Sequence, residues 1–329
     1  MHYQIYVEGR ISMYNILIAD SLPESVLAKY NKVKDISIDN RAGISKEDLL
    51  KVIPTYQGLV VRSRTKATAD IIEAGKNLKV IGRAGAGVDN IEVPAATKMK
   101  VVVMNTPGGN TIAATEHTIA LLLAVLRQIP RAGITMMEGK WDKKSFMGHE
   151  IYEKTVGVIG LGKIGFGVAK RLAAFEAKIL AYDPLIKPEV ANSIGVKLVS
   201  LEELLKQSDI ITIHAPKTPE TLNMLNKENL KLCKNGVIII NCARGGIINE
   251  ADLLEALNSG KVAAAGLDVF TAEPPTDFTL AKHPQVVSTP HLGATTAEAQ
   301  DKVADMILEQ MIEYFQKNTV RNAVNYPFK

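Results

Sequence analysis

The 329-residue sequence contains only two cysteines, Cys233 and Cys242. Two cysteines give neither a disulfide framework nor the ligand spacing of a metal site, so we expect no bound metal and a reducing compartment. The first 12 residues include Glu8 and lack an apolar core, so we expect no signal peptide and interpret residues 1–12 as an optional extension. These features predict a cytoplasmic protein.

Long hydrophobic runs and a strong charge of one sign are also missing. The most apolar stretch, residues 119–126, is far too short to span a bilayer. The net charge of +4 is spread along the chain and does not indicate nucleic-acid binding. We therefore expect neither nucleic acid nor a membrane as a partner. The apolar content of 47% is enough for the cores of two ordinary domains.

A glycine-rich turn, Gly160-Leu-Gly162-Lys-Ile-Gly165, stands in the middle of the chain. It follows residues 155–159, an apolar run that predicts a buried parallel strand. The next predicted strand, residues 178–182, ends at Asp183. Between the turn and that strand, apolar residues recur at helical spacing, namely Ile164, Val168, Leu172 and Phe175. Strand, turn, helix, strand and acid are the pattern of a dinucleotide-binding fingerprint.

Each part of this fingerprint has a physical reason. The first glycine allows a tight turn, the second lets the backbone approach a pyrophosphate, and the third lets the helix pack closely on the strand. The helix N-terminus offers free N–H groups to the phosphates. Asp183 would bind the adenosine ribose hydroxyls and repel a 2′-phosphate, which favours NAD over NADP. The complete pattern favours nucleotide binding over a glycine-rich turn without a ligand.

Strand-like runs stand on both sides of the fingerprint, at residues 16–19, 59–62, 79–81 and 101–104 before it and at residues 209–214, 236–241, 262–267 and 286–288 after it. The alternation with helical patterns predicts parallel sheets. A long apolar helix is predicted at 111–129. Three further helices, each with an N-cap, are predicted at 201–207 (Ser200 and Glu203), 250–258 (Asn249) and 296–317 (Thr295 and Glu298).

The position of the fingerprint predicts the domain organisation. A fingerprint normally marks the first βα turn of its domain, so the earlier βα repeat forms a sheet of its own. The terminal helix is expected to return to that first sheet. We therefore predict an α/β protein with two doubly wound parallel-sheet domains. A Rossmann NAD domain (residues 108–299) is inserted into a discontinuous, flavodoxin-like substrate domain (residues 1–107 plus 300–329).

Three residues in loops beyond predicted strands could support hydride chemistry on a bound nicotinamide. Arg244 could hold a carboxylate in two hydrogen bonds and polarise a carbonyl. His291 could transfer a proton reversibly, because the unperturbed pKa of histidine as a residue type is ~6.5, and Glu273 could stabilise the protonated ring. Taken singly, each has an ordinary alternative as a surface arginine, a strand-capping histidine or a solvated glutamate. Their joint order on one nucleotide domain favours catalysis.

These motifs, with residues 241–246, 267–273 and 290–293, resemble the D-2-hydroxyacid dehydrogenase family over nearly the whole chain. The resemblance implies Arg244 as the substrate binder, Glu273 as the partner and His291 as the acid and base. It also implies an NAD site lined by Gly160, Gly162, Lys163, Ile164, Gly165, Asp183, His214, Ala215, Cys242, Ala243, Asp268 and Gly293.

Within that family, residues 61–68, 82–90, 104–110, 139–141 and 146–148 resemble the members that oxidise a phosphorylated 2-hydroxy acid. The resemblance implies NAD-dependent oxidation of 3-phospho-D-glycerate, the first step of serine biosynthesis. Alternatives are a hydroxypyruvate or glyoxylate reductase and an NAD-sensing, corepressor-like scaffold. The extra phosphate requires additional cations, and Arg62 and Arg83 at the ends of predicted strands are the candidates. Gly85 and Ala86 would offer backbone N–H groups to the carboxylate, and the resemblance adds Ser63 and Lys143 to the expected substrate contacts.

Some positions depart from the pattern of the family. Animal relatives have threonine at the positions of Ala86 and Ala215, and an arginine that reaches a neighbouring subunit at the position of Lys143. Lysine keeps the charge but loses the bidentate fork of arginine. The helix around 111–129 resembles the dimerisation helix of the family, which implies a homodimer. The alternative is an ordinary buried helix of one subunit.

Overall fold

The computed structural model describes residues 13–325, and the interpretation of residues 1–12 as an optional extension lies outside them. The chain forms two compact units. The first unit comprises the residues up to Asn110 together with those from Thr296 onward. The second unit is Thr111–Thr295.

The first part of the chain alternates strands and helices, with a short 3-10 helix at Ile53–Thr55. Its elements are β1 (Tyr14–Ile18), α1 (Glu24–Tyr30), β2 (Ile36–Asn40), α2 (Lys46–Val52), β3 (Gly58–Val61), α3 (Ala69–Ala74), β4 (Val80–Arg83), α4 (Val93–Lys98) and β5 (Val102–Met104).

The second unit begins with two helices and then alternates strands with helices. Its elements are α5 (Thr111–Leu126), α6 (Ile129–Met137), β6 (Thr155–Ile159), α7 (Lys163–Ala173), β7 (Lys178–Tyr182), α8 (Pro188–Asn192), β8 (Lys197–Leu198), α9 (Leu201–Gln207), β9 (Ile210–Ile213), α10 (Lys227–Leu232), β10 (Val237–Asn241), α11 (Glu250–Asn258), β11 (Val262–Leu267) and β12 (Val286–Ser288). The last helix of the described chain, α12 (Ala297–Lys317), belongs to the first unit.

The first unit is built on a five-stranded parallel sheet in the order β2-β1-β3-β4-β5. This is the order of a flavodoxin-like doubly wound sheet. β3 is buried along its whole length, as expected for a strand covered on both faces. Gly58 and Gly82 lie under α12, where an added Cβ would approach the Met311 side chain to 2.8 and 2.5 Å. These two glycines let α12 pack closely on the sheet.

The second unit contains a seven-stranded parallel sheet in the order β12-β11-β10-β9-β6-β7-β8. The chain moves outward from β6 through β7 to β8 and then returns to β9 on the other side of β6. The carboxyl ends of β6 and β9 therefore form the topological switch point at which doubly wound sheets bind ligands. The predicted fold class, a Rossmann unit with a flavodoxin-like companion, is confirmed.

The prediction of one helix over residues 111–129 is wrong. α5 ends at Leu126, and Gln128 adopts a left-handed backbone with φ +51° before α6 begins. Pro130 has no N–H to donate to the Leu126 carbonyl, and that carbonyl instead accepts the amide of His149 at 3.0 Å. The helical pattern therefore breaks just before the proline.

Two smaller predictions are also wrong. Thr296, not Thr295, caps α12, because its Oγ1 accepts the Ala299 amide at 3.1 Å whereas the Thr295 amide closes a turn onto the Leu292 carbonyl. Phe175 lies beyond the end of α7 and is 41% exposed, so it does not extend the buried face of that helix. The caps predicted at Ser200 and Asn249 are confirmed.

Among residues 13–325, no single helix has both the length and the apolar character needed to cross a membrane. The bent pair α5 and α6 reaches that length and composition only when the two helices are taken together.

Candidate active site

The glycine turn connects β6 to α7 at the switch point of the second sheet. Gly160 has φ +89°, which side-chain-bearing residues rarely adopt, and the His214 and Ala215 backbone lies 2.8 Å from where its Cβ would stand. A Cβ on Gly165 would lie 2.0 Å from the Gly160 carbonyl oxygen. Gly160 and Gly165 are therefore required by the fold itself.

Gly162 differs from its two neighbours in the turn. It has φ −66°, and no protein atom lies within 4 Å of where its Cβ would stand. Nothing inside the described protein therefore explains a glycine here. The position is also the N-cap of α7 and supplies no side-chain cap to the first N–H groups of that helix. Open space beside uncapped amides fits the pyrophosphate of a dinucleotide.

Asp183 stands at the carboxyl end of β7, as the fingerprint requires. Its carboxylate accepts the Leu161 amide at 2.7 Å and the amides of Leu185 and Ile186 at 2.9 and 3.2 Å. Asp183 thus ties the glycine turn to the loop that follows β7. An ionised carboxylate offers about four acceptor positions, so these three bonds leave capacity for a ribose hydroxyl.

His214 and Ala215 follow β9 and face the turn at Gly160. His214 Nε2 lies 2.9 Å from the Thr212 hydroxyl, and burial lowers the pKa of His214 to about 3. The imidazole is therefore neutral at physiological pH. Cys242 follows β10, where burial, with a contribution from the Asp268 charge, raises its pKa to about 12. Its thiol is consequently protonated and is no nucleophile.

Of the two remaining predicted residues in α7, Lys163 is the exposed first residue and Ile164 is half-buried. Ala243 donates its amide to Asn241 Oδ1 at 3.0 Å. Asn241 also donates to the Arg244 carbonyl at 2.9 Å. The side chain of one buried asparagine thus shapes the loop that carries Arg244.

Arg244 lies in the loop after β10, and its Nη1 donates to the Ala243 carbonyl at 2.7 Å. A Cβ on the following residue, Gly245, would stand 1.8 Å from the Phe270 carbonyl oxygen. The loop of Arg244 therefore packs directly on the loop that follows β11 and leads to Glu273.

His291 and Glu273 form a close pair at the carboxyl edge of the same sheet. His291 Nδ1 lies 2.6 Å from Glu273 Oε2, and Glu273 Oε1 accepts the Phe270 amide at 3.2 Å. Both side chains remain substantially exposed, at 41% and 38%. With Nδ1 directed at the carboxylate, Nε2 is the ring nitrogen that can exchange a proton with a ligand.

Asp268 follows β11 and is almost fully buried, at 1% side-chain exposure. Burial alone would raise its pKa, but hydrogen bonds from His117, Thr289 and the amides of Leu292 and Gly293 outweigh burial and lower it. Asp268 is therefore an anion. His117 and Thr289 were not predicted from the sequence, since a histidine in an apolar helix and a threonine beside a proline belong to no motif.

In the first unit, the loop after β3 carries Arg62 and Ser63. Buried Asp20 accepts the Arg62 amide at 2.6 Å and both the amide and the hydroxyl of Thr65. Arg62 Nη1 donates to the Ser21 carbonyl at 3.0 Å. Burial lowers the pKa of Arg62 and the Asp20 charge opposes that shift. Asp20 was not predicted from the sequence, although its position just after β1 could have indicated it, since polar residues after parallel strands often line sites.

Arg83, at the end of β4, lies next to Ser63, to which its Nη2 donates at 3.3 Å. Gly85 has φ +153°, and the Arg83 guanidinium occupies the space where its Cβ would stand, 1.4 Å from Nη1. The Ala86 carbonyl accepts Asn105 Nδ2 at 2.6 Å. The structure thus brings Ser63, Arg83 and Gly85 together in the first unit.

Lys143 stands exposed in the second unit, in the segment between α6 and β6. Within residues 13–325, no group of three His, Cys, Asp or Glu side chains is placed to hold a metal ion. Within each unit, the other predicted residues lie at the carboxyl ends of the strands, in the loops that follow them or in the first turn of α7, whereas the structure does not bring Lys143 to them. The second unit holds the residues predicted for the nucleotide and for proton transfer, and the first unit holds Arg62 and Arg83.

Comparisons with known proteins agree with this chemistry. Residues 119–293 match the D-isomer specific 2-hydroxyacid dehydrogenase, NAD binding domain. The chain is 50% identical over 313 residues to D-3-phosphoglycerate dehydrogenase of Archaeoglobus fulgidus and 46% identical over 314 residues to that of Rattus norvegicus. Each match covers 95% of this chain and 59% of the relative. The chain thus spans about three-fifths of the length of these curated relatives.

Solved structures give the same fold. The TT0316 protein from Thermus thermophilus superposes with a TM-score of 0.86 at 32% identity, covering 94% of this chain and 100% of that protein. A glyoxylate reductase from Paecilomyes thermophila gives 0.86 at 29% identity, with 94% and 98% covered. D-lactate dehydrogenase from Aquifex aeolicus, complexed with NAD and lactic acid, gives 0.80 at 28% identity, with 92% and 96% covered.

Proposed function

The chain belongs to the D-isomer specific 2-hydroxyacid dehydrogenase family and its second unit is an NAD-binding domain, and from this premise we propose that it oxidises 3-phospho-D-glycerate to 3-phosphohydroxypyruvate. This reaction would be the first step of serine biosynthesis. The observation that carries the proposal is the 2.6 Å pair of His291 and Glu273 beside the Arg244 loop. The choice of substrate is supported by two relatives of the chain that are both named D-3-phosphoglycerate dehydrogenase.

His291 is the proton acceptor in this proposal. Glu273 holds Nδ1, so Nε2 accepts the proton of the substrate hydroxyl as the C2–H bond breaks. The resulting imidazolium lies against the Glu273 carboxylate, which stabilises its charge. Arg244 binds the substrate carboxylate and the C2 oxygen as the carbonyl forms. In the reverse reaction His291 returns the proton.

NAD, when bound, supplies the acceptor of the hydride that leaves C2. The residues proposed to hold it are those of the glycine turn, Asp183 at the ribose and the loops after β9 and β10. The open space at Gly162 and the uncapped N-terminus of α7 fit its pyrophosphate. The Asp183 carboxylate favours NAD over NADP, because a 2′-phosphate would meet a negative charge.

We propose that the first unit binds the phosphorylated substrate through Arg62 and Arg83. Both arginines lie at the carboxyl ends of adjacent parallel strands, β3 and β4. Guanidinium groups bind phosphate oxygens in pairs of hydrogen bonds, which suits the phosphate of the proposed substrate. Ala86 would offer its backbone N–H group to the carboxylate, whereas the Gly85 amide donates to the Arg83 carbonyl at 2.9 Å.

We further propose a cytosolic homodimer. Both cysteines, Cys233 and Cys242, are free thiols, which supports a reducing compartment. α6 and the segment after it expose large apolar side chains, including Met137 and Trp141 at 83% each. An exposed cluster of this kind is typical of a protein–protein contact. The apolar side chains of α5, by contrast, are largely buried within the second unit, so α6 is the better candidate surface.

His291→Asn tests the catalytic role. We expect turnover to fall about 10²–10⁴-fold, because asparagine cannot take up the proton. The dissociation constant for NADH, measured by fluorescence titration, should stay close to that of the wild type. Glu273→Gln should lower turnover less, because the amide oxygen can still accept a hydrogen bond from His291. Only the negative charge beside the imidazolium is lost. Turnover of His291→Asn near the wild-type rate would contradict the proposed role.

A further inference from the structure

Asp268 makes three hydrogen bonds to the backbone of the segment that carries His291. The Asp268 carbonyl accepts the His291 amide at 2.9 Å. Its carboxylate accepts the next two amides, those of Leu292 and Gly293, at 2.6 and 2.8 Å. His291 adopts a left-handed backbone with φ +54°, which a residue with a side chain rarely does unless its surroundings impose it. Asp268 therefore sets the conformation at the proposed proton acceptor.

Two side chains in turn hold the Asp268 carboxylate. The Thr289 hydroxyl lies 2.6 Å from Asp268 Oδ1. His117 Nε2, on α5, lies 3.1 Å from the Thr289 oxygen and 3.2 Å from the same Asp268 oxygen. The side chain of His117 is 19% exposed. His117 therefore joins the first helix of the unit to the loop after β12.

The direction of these hydrogen bonds fixes the proton on His117. An ionised carboxylate only accepts, so the short contact to Thr289 requires the threonine hydroxyl to donate to Asp268. The lone pairs of the Thr289 hydroxyl can then only accept, and the Asp268 oxygen is a second acceptor beside them. His117 Nε2 thus faces two acceptors and must carry a hydrogen.

We propose that His117 is a positioning residue for the active site, whose Nε2–H orients Asp268 and Thr289 and so fixes the backbone that places His291. As far as it concerns catalysis, this inference rests on the proposed function. Without the Nε2 hydrogen, Asp268 loses a donor in a buried site and Thr289 keeps an unpaired lone pair. The carboxylate can then turn away from the Leu292 and Gly293 amides, which loosens His291.

Hydrogen exchange tests the structural half of the inference without any substrate. His117→Leu removes the donor at similar volume, whereas His117→Gln keeps an N–H near the position of Nε2. In the peptide covering residues 289–294, His117→Leu should raise amide exchange about tenfold, the loss expected for one hydrogen bond to a charged group. His117→Gln should exchange like the wild type.

A control variant separates this effect from a general loosening of the unit. His283 is another partly exposed loop histidine of the second unit. Its Nδ1 accepts the nearby Gln285 amide at 3.2 Å, and among residues 13–325 neither of these two residues hydrogen-bonds to Asp268 or Thr289. His283→Leu should leave exchange at 289–294 unchanged. Equal acceleration in His283→Leu, or none in His117→Leu, would overturn the inference. If His117→Leu does not fold, Thr289→Val, which removes the receiving hydroxyl, should give the same acceleration.

Kinetics test the catalytic half. In the reduction of 3-phosphohydroxypyruvate, His117→Leu should lower kcat about tenfold with little change in KM, and His117→Gln should restore most of it. With NADH deuterated at the transferred position, the isotope effect on kcat should rise in His117→Leu, because the chemical step becomes slower. A purely structural loss of active molecules would leave that isotope effect unchanged and would contradict the inference. A wild type inactive on all 2-oxo acids would refute the proposed function instead, and the exchange result would still decide the role of His117.

Discussion

Gly160, Gly162 and Gly165 look alike in the sequence but differ in their surroundings. Gly160 and Gly165 are enclosed by backbone atoms, whereas Gly162 faces open space. The spacing predicted all three as parts of one fingerprint, because the pattern of strand, turn and helix is local. The fingerprint also predicted that the second glycine faces the ligand, while the other two serve the turn and the packing of the helix. The backbone of His214 and Ala215 that encloses Gly160 could not be predicted, since it comes from a distant part of the chain.

A pair of alanine substitutions separates the two roles. Gly162→Ala should leave the free energy of unfolding nearly unchanged and weaken NADH binding about tenfold, or ~1.4 kcal/mol, because its methyl group enters the pyrophosphate space. Gly165→Ala should destabilise the protein by about 1–3 kcal/mol through overlap with the Gly160 carbonyl. Urea unfolding measures the free energy of unfolding of each variant, and fluorescence titration measures its NADH binding. Normal NADH affinity in Gly162→Ala would contradict the assignment.

His214 gives a second prediction at the scale of single residues, which concerns the pH dependence of stability. Burial lowers its pKa to about 3 from 6.5, so the unfolded chain binds a proton between these values that the folded protein does not. Stability must therefore fall as the pH drops from 6.5 toward 3, by up to about 1.4 kcal/mol per pH unit from this group.

His214→Gln should remove this part of the pH dependence. Urea unfolding at pH 7, 6 and 5 should show the wild type losing more stability on acidification than His214→Gln does. His283→Gln, at a partly exposed loop residue, serves as the control, and its loss of stability on acidification should match that of the wild type. An equal acid loss in the wild type and His214→Gln would refute the account of His214.

At the level of elements, most strands and helices of the second unit follow from their hydrophobic pattern, because buried parallel strands are continuous apolar runs. β2 and β8 were not predicted. They are edge strands of their sheets and carry exposed or half-buried residues, so the apolar run is absent. The break between α5 and α6 was missed because Ile129 continues the helical spacing of the apolar residues Leu122 and Leu126 past Arg127 and Gln128. The helix ends because Pro130 has no N–H to donate to the Leu126 carbonyl.

The exposed apolar side chains of α6 give a prediction at the scale of elements. Ile134 and Met137 are 49% and 83% exposed. Replacing both by glutamate should convert a wild-type dimer to a monomer at micromolar concentration in analytical ultracentrifugation, because two charges enter an apolar contact. Leu185→Glu adds charge at another site, 90% exposed, and should leave the dimer intact. A monomeric wild type would contradict the proposed homodimer.

For the whole molecule, the mid-chain position of the fingerprint predicted two parallel sheets, and the structure has both. The order of Arg244, Glu273 and His291 along adjacent strands predicted that they share one edge, because parallel strands end on the same side. The link from His117 through Asp268 to His291 could not be predicted. It joins residues more than a hundred positions apart through hydrogen bonds that leave no periodic pattern.

The proposal that the substrate is phosphorylated is tested by measuring NADH oxidation in the presence of each of three acids, 3-phosphohydroxypyruvate, hydroxypyruvate and glyoxylate. We expect kcat/KM to be at least about tenfold higher for the phosphorylated acid, the amount expected from one hydrogen bond to a charged group. Arg62→Ala should remove most of that preference by raising KM for 3-phosphohydroxypyruvate alone. The neighbouring Arg64→Ala, whose guanidinium donates to the Gly43 carbonyl, should not. Equal or faster turnover of hydroxypyruvate or glyoxylate by the wild type would contradict the claim.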